Sequence, residues 1–543
     1  MSETNLWALV DKNPYNPHFW TELVQVAESS KNYDGIVRAY SGFLQRFPLM
    51  HIYWNKWALV VQQNNPTKSV RDSIEIFDRA VAHDVLESSV EMWQFYCDFV
   101  VKYNFDITED DIRSVFERAV SHIGNDYNSD SIWSLYINWE EEHQKYDNAS
   151  ALFARVLSSP IRNLDSFWKS FVEHSSHHSI EKAASPAEKS EIDFKLNELA
   201  ENDVTLGADD FSSKMQQLIF DLRYQSYLEA ARAAAVTVYF EYKIIRSYFH
   251  FQKPGELQIA NWYEYLDYME HNEADVSKVC HTYERCLIPC NLCPDIWMKY
   301  AIYLNNFNPA AAEDVLRRGD ASPVSRDPEY QRLRGLFAES TSNFVLAHSI
   351  FNGLADKPHI PGESAIAVAS FMLREGIREN KTDEMKSNAV NLLLKVLDYA
   401  SPYEYSSISA FLRIMKESID IDQLLSKCGA IPLALAMVVK AFIESGDLER
   451  AKNTFRRQLM SEKCELNIND QITMLNVYAK FLRENDGNIK EIREVEKTII
   501  GKQKEARIEL LKERREKCKD TNNLHEVLDR WILYLQETDS LSQ

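Results

Sequence analysis

The stretch Asp130-Ser131-Ile132-Trp133-Ser134-Leu135-Tyr136-Ile137-Asn138-Trp139-Glu140, followed by Ala151-Leu152-Phe153-Ala154-Arg155-Val156-Leu157, decides the fold. Trp133 and Tyr136 are one helical turn apart and lie on one apolar face. Phe153 and Leu157, four apart, do the same in the second part. Two such amphipathic helices with a short polar connection form an antiparallel pair.

The pattern recurs. A tryptophan followed three residues later by an apolar or aromatic residue stands at Trp20, Trp54, Trp93, Trp133, Trp168, Trp262 and Trp297, at intervals of 34, 39, 40 and 35 residues along the first five and 35 between the last two. About one turn-and-helix later comes the second half: Phe77-Asp78-Arg79-Ala80-Val81, Phe116-Glu117-Arg118-Ala119-Val120, the Phe153 block, and Tyr283-Glu284-Arg285-Cys286-Leu287. Each has an aromatic, an arginine two positions on, a small residue that admits a neighbouring helix, and an aliphatic. A pair this short cannot bury its apolar face alone, and stacking the pairs makes a continuous core. The expected fold is all-α, an α-solenoid of antiparallel helix pairs, with these tryptophans, Tyr136, Phe77, Phe116, Phe153 and Tyr283 as packing anchors.

Composition agrees. The 543 residues include only 14 Gly and 16 Pro, too few for the tight turns of a large sandwich or barrel, while 45% hydrophobic content rules out wholesale disorder. The net charge of −21 argues against a protein whose main task is coating a nucleic-acid backbone. Eight scattered cysteines suit a reducing compartment, and there is neither a signal-peptide pattern nor an apolar run long enough for a membrane. A soluble, acidic intracellular protein is expected.

Three segments follow from the pattern: a repeat arm over residues 1–175, a polar linker over 176–210, and a C-terminal part over 211–543. The last opens with a helix-compatible run from Phe211 to about Phe251, stopped by Pro254-Gly255. Val315–Gly319, Ile350–Leu354 and Phe455–Leu459 read as eroded second helices, and the mixed charges of 499–519 read as a solvated helix. Near the end, Leu524, Val527, Leu528, Trp531, Tyr534 and Leu535 make an apolar stripe where a solenoid usually carries a polar cap. Its cover is either the preceding repeat or, as favoured here, the same region of a second subunit.

Candidate chemistry is sparse. Cys280, Cys286, Cys290 and Cys293 include a Cys-x-x-Cys pair, but Cys286 occupies the small position of a second helix, so free thiols are expected rather than zinc. His174, His177 and His178 read as solvated side chains at a helix end. No phosphate-binding glycine loop, nucleophile elbow or His-Glu-x-x-His motif occurs, so no catalysis, cofactor or metal is expected. Within the best repeat, Glu140 is expected to pair with Arg155.

The Trp133, Tyr136, Glu140 and Phe153, Arg155, Leu157 pattern resembles the half-a-tetratricopeptide repeat of RNA-processing proteins. Together with Arg246-Ser247-Tyr248-Phe249-His250 leading into Asn261-Trp262-Tyr263-Glu264-Tyr265, it is similar to the pre-mRNA-processing factor 39 family. That resemblance implies a nuclear, non-catalytic scaffold of the U1 small nuclear ribonucleoprotein supporting 5′ splice-site selection. It implies partners among the particle's proteins, pairing with itself or a close paralogue through the C-terminal arm, and mostly indirect RNA contact. The main alternative is a repeat scaffold in 3′-end cleavage and polyadenylation, which would lack the Tyr248-Phe249-His250 element. A peptide-clamping cochaperone and a helical metalloenzyme rest on weaker features.

Overall fold

A computed structural model describes residues 3–30, 32–64, 70–178, 184, 186–201, 208–397, 435–436, 439–440, 442–443, 446–460, 466–485 and 488–517. Among them are helices and turns and no β-strand. The chain divides into two compact units, Met1–Val324 and Ser325–Gln543.

In the first unit, α1 (Glu3–Lys12) precedes four hairpins: α2–α3 (Pro17–Ser30, Tyr33–Arg46), α4–α5 (His51–Asn64, Arg71–Val81), α6–α7 (Val90–Lys102, Glu109–Ile123) and α8–α9 (Asp130–Glu142, Tyr146–Leu157). Next come α10 (Leu164–His177), α11 (Pro186–Glu201) and the 34-residue α12 (Ala208–Glu241). Two more hairpins follow, α13–α14 (Glu256–Asn272, Val276–Leu287) and α15–α16 (Pro294–Asn305, Pro309–Ala321). The second unit holds α17–α18 (Pro328–Ser340, Phe344–Ala355), α19–α20 (Gly362–Glu379, Thr382–Leu397), α21 (Leu448–Leu459) and α22–α23 (Ile468–Glu484, Ile489–Lys517). Within each unit most consecutive helices pack on each other, which makes the fold an α-solenoid. The eroded second helices are α16, α18 and α21.

Local chemistry sets the helix ends. Thr108 and Asp111 form a reciprocal capping box at the start of α7, and Ser89, Asn308 and Asp327 cap α6, α16 and α17 through side-chain oxygens. Tight intra-hairpin turns are made with little glycine. Gln144, Ser342 and Asn380 adopt left-handed backbone conformations, and the next amide bonds back to Glu140, Ala338 and Gly376 carbonyls at 2.8–2.9 Å.

The run expected to stay helical to about Phe251 leaves the helix at Glu241. No Gly or Pro breaks it. Residues Tyr242–Phe251 are rich in β-branched and aromatic side chains with modest helix propensity, and tertiary contacts win. Phe249 is buried, Phe251 meets Phe47 edge-on at 4.9 Å, and Ser247 Oγ donates to Glu91 Oε1 at 2.6 Å. The Tyr248-Phe249-His250 element thus lies against the early repeats.

Trp168 also differs from its sister anchors. It is half-buried and packs on Phe220, Tyr224 and Tyr227 of α12 at 5.0–5.1 Å, so the long helix occupies the place of a fifth second helix. The other anchors are buried. The segment 176–210 contains the 16-residue α11, whose Glu188 receives Arg223 of α12 at 2.9 Å.

Candidate interaction site

The side chains with specific geometry in the first unit form rungs between successive repeats. Each rung begins with an aromatic on a second helix, stacked on a tyrosine of the next first helix. Phe77 lies 5.0 Å from Tyr96, Phe116 4.5 Å from Tyr136, Phe240 5.0 Å from Tyr265 and Tyr283 4.6 Å from Tyr300, with ring planes within 9° of parallel. Beside that aromatic stands an acid. Asp78 accepts from Tyr96 and from Arg118 of the following repeat, both at 2.8 Å. Glu117 accepts from Tyr136 at 2.9 Å and Arg155 at 2.8 Å, and Glu284 from Tyr300 at 2.9 Å and Arg318 at 2.6 Å. Glu241, at the end of α12, receives Arg285 at 2.6 Å and 3.0 Å. Burial and the adjoining Glu117 push the Tyr136 hydroxyl well above its usual range, so it stays a donor.

Three of these arginines have a second task. Arg118, Arg155 and Arg285 lie over Trp93, Trp133 and Trp262 of their own repeats at 5.6, 5.4 and 5.9 Å. The indole N–H groups are used too: Trp20, Trp54, Trp93 and Trp297 donate to the carbonyl six residues upstream, and Trp133 to that of Gly124, at 2.7–2.9 Å. In the first repeat the arginine position is Gly42, where an added Cβ would meet Trp20 Cη2 at 2.8 Å, so the ring rests on the backbone itself.

The expected Glu140–Arg155 pair does not form. Glu140, fully buried, is held by Arg113 of α7 at 2.6 Å and Asn148 at 3.1 Å, while Arg155 pairs with Glu117. The antiparallel register is the reason. Glu140 lies near the α8–α9 turn opposite Asn148, and Arg155 is about 10 Å further along α9, opposite Trp133. A double-mutant cycle on Glu117 and Arg155, both more than a third exposed, is expected to give a coupling of about 1 kcal/mol or less, and one on Glu140 and Arg155 none.

A buried cluster ties the early repeats to the later ones within the first unit. The Asp126 side chain is 0% exposed and takes Arg285 Nε at 2.7 Å, His281 Nε2 at 3.2 Å and the backbone N–H of Asn128 at 2.8 Å. Burial pushes its carboxyl up, but Arg285 and His281 outweigh burial and hold it below the usual carboxylate range. Asn128 Nδ2 donates to Glu241 Oε2 at 3.1 Å, closing the network. A cleft of ≈ 410 Å³ opens beside it, and Glu91, Arg162, Glu241 and Arg285 in its wall are each engaged with another protein group.

Among the described residues no three His, Cys, Asp or Glu side chains converge on a metal position. Cys286, Cys290 and Cys293 are buried, and a hydrogen bond with Cys286 together with burial pushes the Cys290 thiol well above its usual range, disfavouring the reactive thiolate. His174, expected in solvent, is buried with Nδ1 2.9 Å from Glu141 Oε1, and His178 stacks on Tyr146 at 3.7 Å. Leu524, Val527, Leu528, Trp531, Tyr534 and Leu535 lie outside the described residues.

A family model described as "PRP39 N-terminal HAT repeat" matches residues 4–173 and one described as "PRP39 C-terminal HAT repeat" matches 235–374, together more than half of the chain. The chain belongs to the PRP39 family. The stretch between the two PRP39 matches holds α11 and most of α12, and at the end of the N-terminal match Ala154 replaces the rung acid and Phe171 the rung tyrosine. Pre-mRNA-processing factor 39 of Schizosaccharomyces pombe is 28% identical, aligned over 65% of this chain and 60% of its own length. The Xenopus laevis protein of that name is 25% identical over 88% and 72%, and the human one 25% over 74% and 61%. The chain thus spans under two-thirds of the yeast and human relatives. Among solved structures, the crystal structure of CstF-77 aligns with 84% of this chain and 89% of its own at a TM-score of 0.54 and 14% identity, a likeness of fold.

The rung acids were the residues that sequence reading passed over. Their signal is an acidic residue directly after the second-helix aromatic, at Asp78, Glu117, Glu241 and Glu284, and its loss at Ala154 coincides with Phe171 in place of tyrosine.

Proposed function

We propose that the protein is a non-catalytic scaffold in pre-mRNA splicing, a component or associated factor of the U1 small nuclear ribonucleoprotein that supports 5′ splice-site recognition by bridging protein subunits in the nucleus. Membership of the PRP39 family carries this reading. The use of its polar side chains supports it: rung acids, arginines and tyrosines satisfy one another between repeats, an arrangement that holds surfaces in place and performs no reaction. The net charge of −21 favours protein partners over extensive direct RNA contact. No helix among the described residues is long and apolar enough to cross a membrane.

Purification of the tagged protein from cell extract, with identification of co-purifying RNA and proteins, tests this. U1 RNA with its proteins is expected. Recovery of 3′-end processing factors without U1 RNA would establish the alternative, which a 21% identical relative named mRNA 3′-end-processing protein rna14 of Schizosaccharomyces pombe keeps in view.

The apolar stripe from Leu524 to Leu535 is assigned to pairing with a second copy or a close paralogue, which doubles the partners held and raises avidity through effective concentration. Light scattering of the purified chain is expected to give a dimer, and Leu528→Asp with Trp531→Asp a monomer. A monomeric parent at micromolar concentration contradicts self-pairing.

A further inference from the structure

A cleft of ≈ 540 Å³ in the first unit runs between the ends of α3 and α5 and the end of α16. Its floor is aromatic, with Phe47, Trp54, Phe249 and Trp297, and its walls carry Arg46, Arg79, Arg317 and Arg318 against a single carboxylate, Asp84. On a chain of net charge −21, this is a local inversion of sign.

One of these arginines, Arg79, has unused capacity that the rung pattern explains. Arg79 stacks over Trp57 and Trp54 at 5.2 and 6.0 Å, as its counterparts stack on their own tryptophans. Its rung acid is missing because the first repeat has Ser41 where Asp78, Glu117 and Glu284 stand later, and among the described residues Arg79 has no ion pair. Arg318 gives both terminal nitrogens to Glu284, and its buried Nε has no hydrogen-bond acceptor, the Asp84 carboxylate being 4.0 Å away. Arg46 touches only the Tyr15 ring and hydroxyl among the described residues, and Arg317 holds the exposed Asp314.

We propose that this cleft binds a linear acidic peptide of a partner protein, one that sets an apolar or aromatic side chain on the Trp54–Phe249 floor and offers Asp or Glu carboxylates to Arg79 and the exposed Arg317. At Arg79 the carboxylate takes the place that a rung acid fills in the later repeats, and the Arg79 fork matches it in two-point geometry. The predominantly apolar floor favours a peptide over a nucleic-acid strand, whose affinity comes chiefly from its phosphates. The proposal rests on the scaffold reading only in that the ligand is a protein segment. A purified-component assay separates its failure from that of the splicing assignment.

The test is fluorescence anisotropy with the full chain and a fluorescein-labelled twelve-residue probe made of three Glu-Asp-Leu-Phe blocks. Companion probes carry Lys for the acids or Ser for Leu and Phe, and a twelve-nucleotide oligouridylate is the fourth. Saturable binding of the acidic–aromatic probe is expected, weaker for both companion peptides. In Arg79→Glu/Arg317→Glu it should fall by about ten-fold or more, with Lys169→Glu as a distant surface control. Should the Arg79 change lower the melting temperature, Arg46→Glu/Arg317→Glu leaves the Trp54 stack intact and is expected to weaken the probe in the same direction. Absence of saturable binding, equal binding by the variants, or arginine-dependent preference for the oligouridylate would each overturn the proposal.

Discussion

Replacing Arg285 by Met is expected to destabilise the first unit by about 3–5 kcal/mol at pH 7, because it leaves buried carboxylates without their cation. Asp126 is fully buried and Glu241 nearly so, and both face the guanidinium at 2.6–2.7 Å. His281 and Asn128 remain as partners but supply less charge. The pH dependence gives the effect its signature. In the parent chain the Asp126 carboxyl lies below the usual carboxylate range, so its contribution is present above about pH 4 and fades only as the pH falls through the lower folded value. In the Arg285→Met chain burial acts on Asp126 with its main opposing cation gone, the folded-state value moves above the unfolded one, and stability rises as the pH falls from 7 toward 5. Urea unfolding at pH 7 and pH 5, followed by far-UV circular dichroism, checks both signs. A variant equally destabilised at the two pH values would show that the carboxylates had found other partners.

Trp93→Ala is expected to cost about 3–5 kcal/mol. The ring is 1% exposed, stacks on Tyr96 and His122, carries Arg118 on its face, and donates its N–H to the Glu87 carbonyl at 2.8 Å. Trp93→Phe keeps most of the apolar contact and orphans that carbonyl, at about 1–3 kcal/mol. Since each hairpin packs chiefly on its neighbours and meets the later repeats only through a few contacts such as the Asp126 cluster, the loss should be largely local. Hydrogen exchange is expected to show weakened protection in α5, α6 and α7 first, with α15 and α16 retaining theirs. Uniform loss across the first unit would mean that the Asp126 cluster couples the repeats into one cooperative block.

The solenoid was legible because its signals are local. Trp133 and Tyr136 share a face by helical geometry alone, and a recurring tryptophan needs no partner to be recognised. Charge pairing was not legible in the same way. Glu140 and Arg155 stand 15 residues apart and look like natural partners within one hairpin, yet each bonds outside it, because antiparallel packing sets the two side chains at opposite ends of the contact.

Periodicity alone therefore determined the helix pairs and that they stack. Tertiary structure decided which carboxylate meets which arginine, where α12 replaces a missing second helix, and why the chain leaves that helix at Glu241 to lay Phe249 and Phe251 against the early repeats. The division follows from range. Apolar faces are set by neighbours three and four residues away, whereas the rung ion pairs join residues 34 to 44 apart, and the Arg285–Asp126 contact spans a longer separation still. Which of them meet depends on how the repeats stack, and no short stretch of sequence carries that information.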